Sequence, residues 1–412
     1  MRLNRPVLFV STATAFSLLG DSVLYAVLPV PAYHHALGLA PIHVGLLLSV
    51  NRWIRMITNH LAERLIRRYS GSYLLTAALI VGSLLAVVYG TIFLFPVLLL
   101  ARVTWGLCWS FIRQIGLMTV VDSVDGARIA QGMGYYSGIS RLGGSAGLFV
   151  GALLCDQVGF RATLIAFGLV SLAGVVPGLL SQRERPVRAP DQDERARDGE
   201  TATGPALLVC GFAVRCVSAI IMTTLGMTLA EKVGQTVVVA GITLGVVTLN
   251  GALLAGRWIT DTAAAPFLGA LTDRIGHWRG TCALFFAGTV VLLLATLVSN
   301  TIVLVVLVLV FFICTTALVL TLAAVAGMRG ARAVASFVTA TDVGSATGPL
   351  VGWTILHFIP ASVVMFVIGG ALFALAALVS YLVVRRQRAD ARRENHAVAL
   401  SGVGTFEEEQ DG

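Results

Sequence analysis

Apolar residues run along this chain in long blocks, and the polar residues collect in the gaps between them. Blocks of about 20 residues fit the hydrocarbon thickness of a bilayer when wound as α-helices. They predict twelve spans, at 7–29, 42–61, 73–93, 97–118, 132–154, 162–181, 205–229, 237–268, 281–299, 301–325, 335–356 and 361–384. A helix over 237–268 would run roughly 48 Å at 1.5 Å per residue, so the eighth span is expected to project from the bilayer or bend near Pro266. The stretch 182–204 is polar, charged and punctuated by Pro and Gly, as a linker between two six-span halves would be. The expected organisation is therefore a lobe over 1–181, a cytoplasmic linker over 182–204, a second lobe over 205–384, and a solvated, disordered tail over 385–412 that ends in acidic residues.

Composition sharpens this picture. Hydrophobic residues make up 57% of 412 and charged residues 12%, and the mean hydropathy is +0.87. That balance excludes a soluble domain; with twelve spans split by a central linker and a charged turn that recurs in each half, it points to an all-α integral membrane protein of two pseudo-symmetric six-helix lobes. Arg2 and Arg5 precede the first apolar block, but no small-residue cleavage site follows and Asp21 interrupts it, so it reads as the first span. The six cysteines have no metal-ligand spacing and read as small hydrophobes; no metal and no cofactor is expected, beyond a proton gradient as the energy source. Of the cations, 28 are Arg and one is Lys, the bias of a GC-rich bacterial genome. The net charge of +8 does not imply nucleic acid. With the N-terminus inside, 20 of the cations fall in cytoplasmic segments and two, Arg161 and Lys232, on the other side. This positive-inside asymmetry predicts a multi-pass protein of the bacterial inner membrane with both termini cytoplasmic; a monomer in the lipid bilayer is expected.

Seven arginines and three aspartates remain inside spans: Asp21, Arg52, Arg55, Arg102, Arg113, Arg141, Arg215, Arg257, Asp261 and Asp342. Each costs ~2.5–3.5 kcal/mol at a helix centre on insertion scales, so such groups are expected to face an interior or a wet cavity. Spans 3, 6, 9 and 12 carry none, which is the pattern of helices standing outermost against lipid. Asn51, Arg52, Arg55 and Asn59 fall on one polar stripe of span 2. Arg102 and Arg113 lie nearer helix ends, where snorkelling is open to them, and Arg257 with Asp261, four apart, reads as a self-neutralised structural pair. The intramembrane sum is positive. A cavity of that sign attracts an anion or a ligand with carboxylate-like oxygens, which the planar fork of Arg suits. Structural arginines, bonded to carbonyls or aspartates across the two halves, are the competing reading.

A charged turn recurs. Gly269-x-Leu271-x-Asp273-Arg274-x-Gly276-x-x-Arg279 has a blurred copy 210 residues earlier, in which Glu63 and Arg64 take the places of Asp273 and Arg274. The motif resembles the signature loop of the major facilitator superfamily. That resemblance implies a twelve-helix transporter fold with a cytoplasmic gate built on Glu63, Arg64, Gly269, Asp273, Arg274 and Gly276. The first copy has Asn59 and Ile66 where the glycines belong. Arg102-x-x-x-Gly106 resembles the family's proton-coupling motif in antiporters, with Trp105 where a polar residue is common. Gly143, Gly147 and Gly151 resemble the glycine-rich exporter motif without its proline, and Gly344, Gly348, Pro349 and Gly352 are a fuller match in the other half. Packing is the simpler role for these glycines. Gly20-Asp21-x-x-x-Tyr25-x-x-Leu28-Pro29 is similar to the first helix of drug-type members, and with Asn51-Arg52-Trp53-x-Arg55 it is similar to the siderophore exporters.

The resemblance implies a secondary transporter working by alternating access, coupled to protons, and exporting a small anionic or chelating molecule. Asp21 and Arg102 are the proton-coupling candidates, with Arg55 or Arg141 as switchable partners of Asp21. Tyr25, Asn51, Arg52, Arg55, Arg141, Arg215 and Asp342 are the candidates for cargo contact. Import or uniport of an organic anion is the alternative, kept open by the missing proline of span 5. A non-transporting receptor or scaffold is the alternative of another class. No catalytic cluster or phosphate loop supports an enzyme.

Overall fold

The computed structural model describes residues 4–124, 128–183, 204–239 and 242–407, with the backbone alone at 129–130, 238, 239, 242, 261–266, 268–273, 331 and 390–407. Helices α1 (Arg5–Val27), α2 (Pro31–Ala36), α3 (Pro41–Arg68), α4 (Gly71–Thr91), α5 (Phe95–Ser123), α6 (Ile129–Val158), α7 (Phe160–Leu172) and α8 (Val175–Arg183) form one half. The other half is α9 (Pro205–Val233), the strand pair β1 (Thr236–Val239) and β2 (Ile242–Gly245), α10 (Val246–Ile275), α11 (His277–Leu297), α12 (Thr301–Met328), α13 (Ala331–Phe358) and α14 (Val363–Glu407). Nine stretches of the described residues are long and apolar enough to cross a membrane, counting α7 and α8 as one. The other three long helices, α3, α10 and α13, carry the polar residues of the interior.

Local chemistry sets the boundaries. Proline stands in the first turn of α1, α3, α5 and α9, where a missing N–H costs nothing. Asn300 caps α12 by accepting from the backbone N–H of Ile302 and Val303. Gly276 sits at φ +92° between α10 and α11, a conformation that side chains resist. In the first copy of the motif Ile66 occupies that place, and α3 runs through it to Arg68 before the chain turns.

Three sequence expectations change. The eighth span begins at Val246, not 237, because 236–245 folds into an antiparallel hairpin outside it. The sixth is two helices with a break at Ala173–Gly174. The segment expected to be a disordered tail continues α14 as helix to Glu407, while the linker residues 184–203 and the last residues, 408–412, lie outside the described ones.

Packing repeats between the halves. α1 lies along α6 as α9 lies along α13, and α4 lies on α7 as α11 lies on α14. The two halves meet through α3 on α13 and α6 on α10, pairs that exchange under a two-fold. The glycine stripes explain the tight pairs. A Cβ on Gly143 would meet the carbonyl of Ala15 and one on Gly147 the carbonyl of Leu19 at 2.5 Å. In the second half, one on Gly344 would meet the carbonyl of Phe212 and one on Gly348 that of Cys216 at 2.5 Å. These are backbone-to-backbone contacts that small residues alone permit. Outward faces of α4, α11 and α14 show bare apolar side chains such as Leu84, Phe286 and Leu375, as lipid-facing helices should.

Candidate functional site

A cavity of about 340 Å³ lies between the halves, at the small end of the ~300–1,000 Å³ usual for ligand sites. Asp21 and Tyr25 of α1, Asn51, Arg52 and Arg55 of α3, Trp105 and Trp109 of α5, Arg215 and Ser218 of α9, Arg257 and Trp258 of α10, and Asp342 and Ser345 of α13 are on its wall. Six of the seven residues expected to contact cargo are thus brought together: Tyr25, Asn51, Arg52, Arg55, Arg215 and Asp342. Arg141 is not. It is exposed on α6 and lines no part of this cavity.

The arginines differ in what they hold. Arg102 is completely buried rather than snorkelling. Its guanidinium donates to Asp21 Oδ1, to the carbonyl of Leu47 at 2.7 Å and to the Tyr25 hydroxyl at 3.3 Å. The partner of Asp21 is therefore Arg102, not Arg55 or Arg141, because Gly106 lets α5 approach the Asn51 backbone closely enough to bring Arg102 under α1. Arg257 lies over the ring of Phe312 at 4.0 Å and donates to Ser218 Oγ at 3.3 Å. The side chain of Asp261, its expected partner, lies outside the described ones. Asn51 reaches the Tyr25 hydroxyl at 3.5 Å, but its Oδ1 is buried without a donor, and so is the Nε of Arg55 without an acceptor.

Arg52 crosses between halves, donating to the carbonyl of Ser345 at 2.7 Å. Pro349 explains this bond. It lies inside α13, four residues beyond Ser345, and has no N–H to return. The freed carbonyl takes a guanidinium from the other half instead. Sequence reading placed Arg52 here and missed its acceptor, although Pro349 signalled it.

The halves also touch at the end that carries α2 and the hairpin, through helix-terminus caps exchanged between them. Asp156 at the end of α6 accepts from the backbone N–H of Thr248, in the first turn of α10, at 2.8 Å, and from its hydroxyl at 2.6 Å. Asn250 in turn donates to the carbonyl of Ala26, in the last turn of α1, at 2.8 Å. Each satisfies a group that its own helix leaves open. Nearby, Trp353 donates to the Thr223 carbonyl at 3.0 Å and packs edge-on against His34, with ring centres 5.6 Å apart. Burial pushes the His34 imidazole down to about 4.

The gate residues are less engaged. Glu63 pairs with Arg67 of its own helix at 2.7 Å, both exposed, and Arg64 and Arg274 are exposed. Gly269 and Asp273 fall where the backbone alone is described. Among the described residues no His, Cys, Asp and Glu cluster is arranged to hold a metal.

Two helical halves around a polar cavity, capped at one end, define a membrane transporter. The model of the Major Facilitator Superfamily matches residues 10–262, more than half of the chain. The chain belongs to that superfamily. Multidrug resistance protein MdtG of Rahnella sp. (strain Y9602) is 24% identical over 283 residues, 65% of this chain and 68% of that one. Among solved structures, a bacterial homolog to the human lysosomal transporter Spinster, in an inward-facing and occupied conformation, matches with a TM-score of 0.73 at 14% identity over 92% of this chain and 96% of that one. A POT family transporter bound to a thioalcohol-conjugated peptide matches with a TM-score of 0.72 at 13% identity, over 93% and 96%. At such identities these structures establish the fold alone. The chain is a multi-pass, non-enzymatic transporter.

Proposed function

We propose that this chain is a secondary active transporter that moves a small organic anion across the bacterial inner membrane by alternating access, coupled to protons through Asp21. The observation that carries the reading is Asp21, held by the fully buried Arg102, on the wall of a cavity where four arginines face two aspartates. With Asp21 already neutralised by Arg102, the charge left for a ligand is positive, and an anion is the complementary cargo. The positive-inside distribution supports a hairpin end that faces the exterior, and the caps exchanged there support a conformation that loads from the cytoplasm. When a proton reaches Asp21, one charge of the pair is cancelled, while Arg102 keeps the Leu47 carbonyl and the Tyr25 hydroxyl. The hold of α1 on α5 weakens inside the first half, and the shift of α1 at the cavity wall biases which state the protein occupies.

Export is the first reading of direction, supported by the α1 motif and by the name of the Rahnella relative. The charges on the cavity wall favour a second, proton–anion uptake. A proton on Asp21 leaves Arg102 uncompensated, which tightens the hold on an anion rather than expelling it. Flux of radiolabelled small carboxylates in proteoliposomes, with the pH gradient imposed in either sense, separates the two. Accumulation against an acidic exterior gives uptake, and expulsion gives export. Equal rates with and without a gradient would defeat proton coupling, and Asp21→Asn should abolish the gradient effect while sparing exchange.

A further inference from the structure

The cavity wall sorts its polar groups into those already committed and those with unmet demands. Arg52 is bonded to the Ser345 carbonyl, Asp21 to the buried Arg102 beneath it, and Arg257 to Ser218 and the face of Phe312. Arg55 and Asn51 are one helical turn apart on α3, both line the cavity, and each holds a buried polar atom with no partner: the Nε of Arg55 and the Oδ1 of Asn51. An unmet buried polar group costs a protein free energy that a ligand can return. Aromatic surface shares the cavity with them. Trp109 of α5 and Trp258 of α10, one from each half, are half-buried and line the same cavity, and Trp105 packs beside Trp109 with ring centres 6.1 Å apart. Four arginines on that wall disfavour a cation, which tryptophan faces would otherwise accept.

Resting on the anion reading above, we propose that the cargo is an aromatic oxyanion, its acidic head on Arg55 and Asn51 and its flat body against Trp109 and Trp258. The guanidinium of Arg55 supplies the charge-assisted bond, and the amide of Asn51 supplies the neighbouring polar contact. The tryptophans supply a rigid face that accepts a planar ring better than a puckered one. Because Trp109 and Trp258 belong to different halves, such a ligand touches both at once. Its presence then bears directly on how the halves sit.

Isothermal titration calorimetry of the full-length protein in detergent tests this with three matched probes: phenylacetate, cyclohexylacetate and phenethylamine. Phenylacetate should bind roughly three- to tenfold tighter than its saturated analogue, the span expected of an aromatic pair beyond its buried area. Phenethylamine should give no saturable heat at the same concentrations. Arg55→Gln should weaken phenylacetate by roughly tenfold or more. Trp109→Leu should bring phenylacetate down to the affinity of cyclohexylacetate. Equal affinity of the two acids for the wild-type protein overturns the aromatic inference and leaves anion transport standing. An amine that binds as tightly as the acid, or no binding of either acid, overturns both. Wild-type affinity in an Arg55→Gln protein of unchanged thermal stability overturns the placement of the head. The wild-type comparisons need no variant to fold, and Arg55→Lys, which keeps the charge but loses the planar fork, serves if Arg55→Gln does not.

Discussion

Replacing Pro349 by Ala should separate two quantities that most substitutions in a transporter core move together. In the wild-type protein the proline withholds an N–H from the carbonyl of Ser345, and Arg52 of the other half takes that carbonyl at 2.7 Å. A proline in a helix interior costs about 3 kcal/mol relative to Ala. A hydrogen bond from a charged donor contributes about 1.5–3 kcal/mol in return, so the proline is largely, though not wholly, offset where it stands. With Ala, an N–H is restored to α13 and competes with Arg52 for the same oxygen. A carbonyl has two lone pairs, so the bond from Arg52 weakens without vanishing. The expected balance is a protein about 1 kcal/mol more stable, in which the tie between halves is weaker by about 1 kcal/mol, roughly a fivefold shift between lobe arrangements. Arg52→Met removes the tie with no gain in α13 and should lower stability while shifting the lobes the same way. Thermal unfolding reads the first quantity. Electron–electron spin distances between labels at His35 and Thr236, both exposed and on opposite halves at the hairpin end, read the second. A Pro349→Ala protein with wild-type distances and unchanged unfolding would show that the freed carbonyl does not govern either.

Three further outcomes follow from the packing. Asp21→Asn and Arg102→Met should each destabilise by about 3 kcal/mol, because each strands the other partner in a buried setting, and a double-mutant cycle should give a coupling of about 2–3 kcal/mol, whereas additive losses would mean no functional pair. Gly147→Ala should cost about 1–3 kcal/mol by forcing α1 from α6, while Gly138→Ala, whose Cβ would meet nothing within 4 Å, should stay within about 0.5 kcal/mol by the same unfolding assay. His34 is held neutral in the folded state, so the unfolded chain takes up its proton first; stability should fall as pH drops from about 6.5 to about 4, by up to about 3 kcal/mol, and then level off. His34→Gln should flatten that slope in pH-dependent unfolding.

Much of the scaffold is legible in the chain because bilayer physics is written in long runs. Apolar length fixed which segments become helices, and the intramembrane charges at Asp21, Arg52, Arg55, Arg215 and Asp342 pointed to one cavity, since such residues have nowhere else to go. What escaped was pairing. Arg102 reads as a residue near a helix end, and only the close approach permitted at Gly106 brings it under Asp21. Arg141 carries the same intramembrane signature as its neighbours yet faces out of the cavity, because a stripe on α6 is resolved by which side α1 covers. Trp109 and Trp258 gave no signal, since an aromatic in an apolar run has no periodic contrast. The hairpin at 236–245 hid for a like reason, as its β-branched residues extend the hydrophobic run of α10.

The glycine ladder between α1 and α6 has a consequence for how such a protein diverges. Gly143 and Gly147 rest on main-chain carbonyls of Ala15 and Leu19, so the contact reads the backbone of α1 and is indifferent to most of its side chains. Leu18, Asp21 and Tyr25 stand on the cavity face of that same helix. Exchanges at positions 18 and 25 can therefore retune what the protein carries while the lobe keeps its shape. A lineage built this way can drift in cargo quickly and in architecture hardly at all.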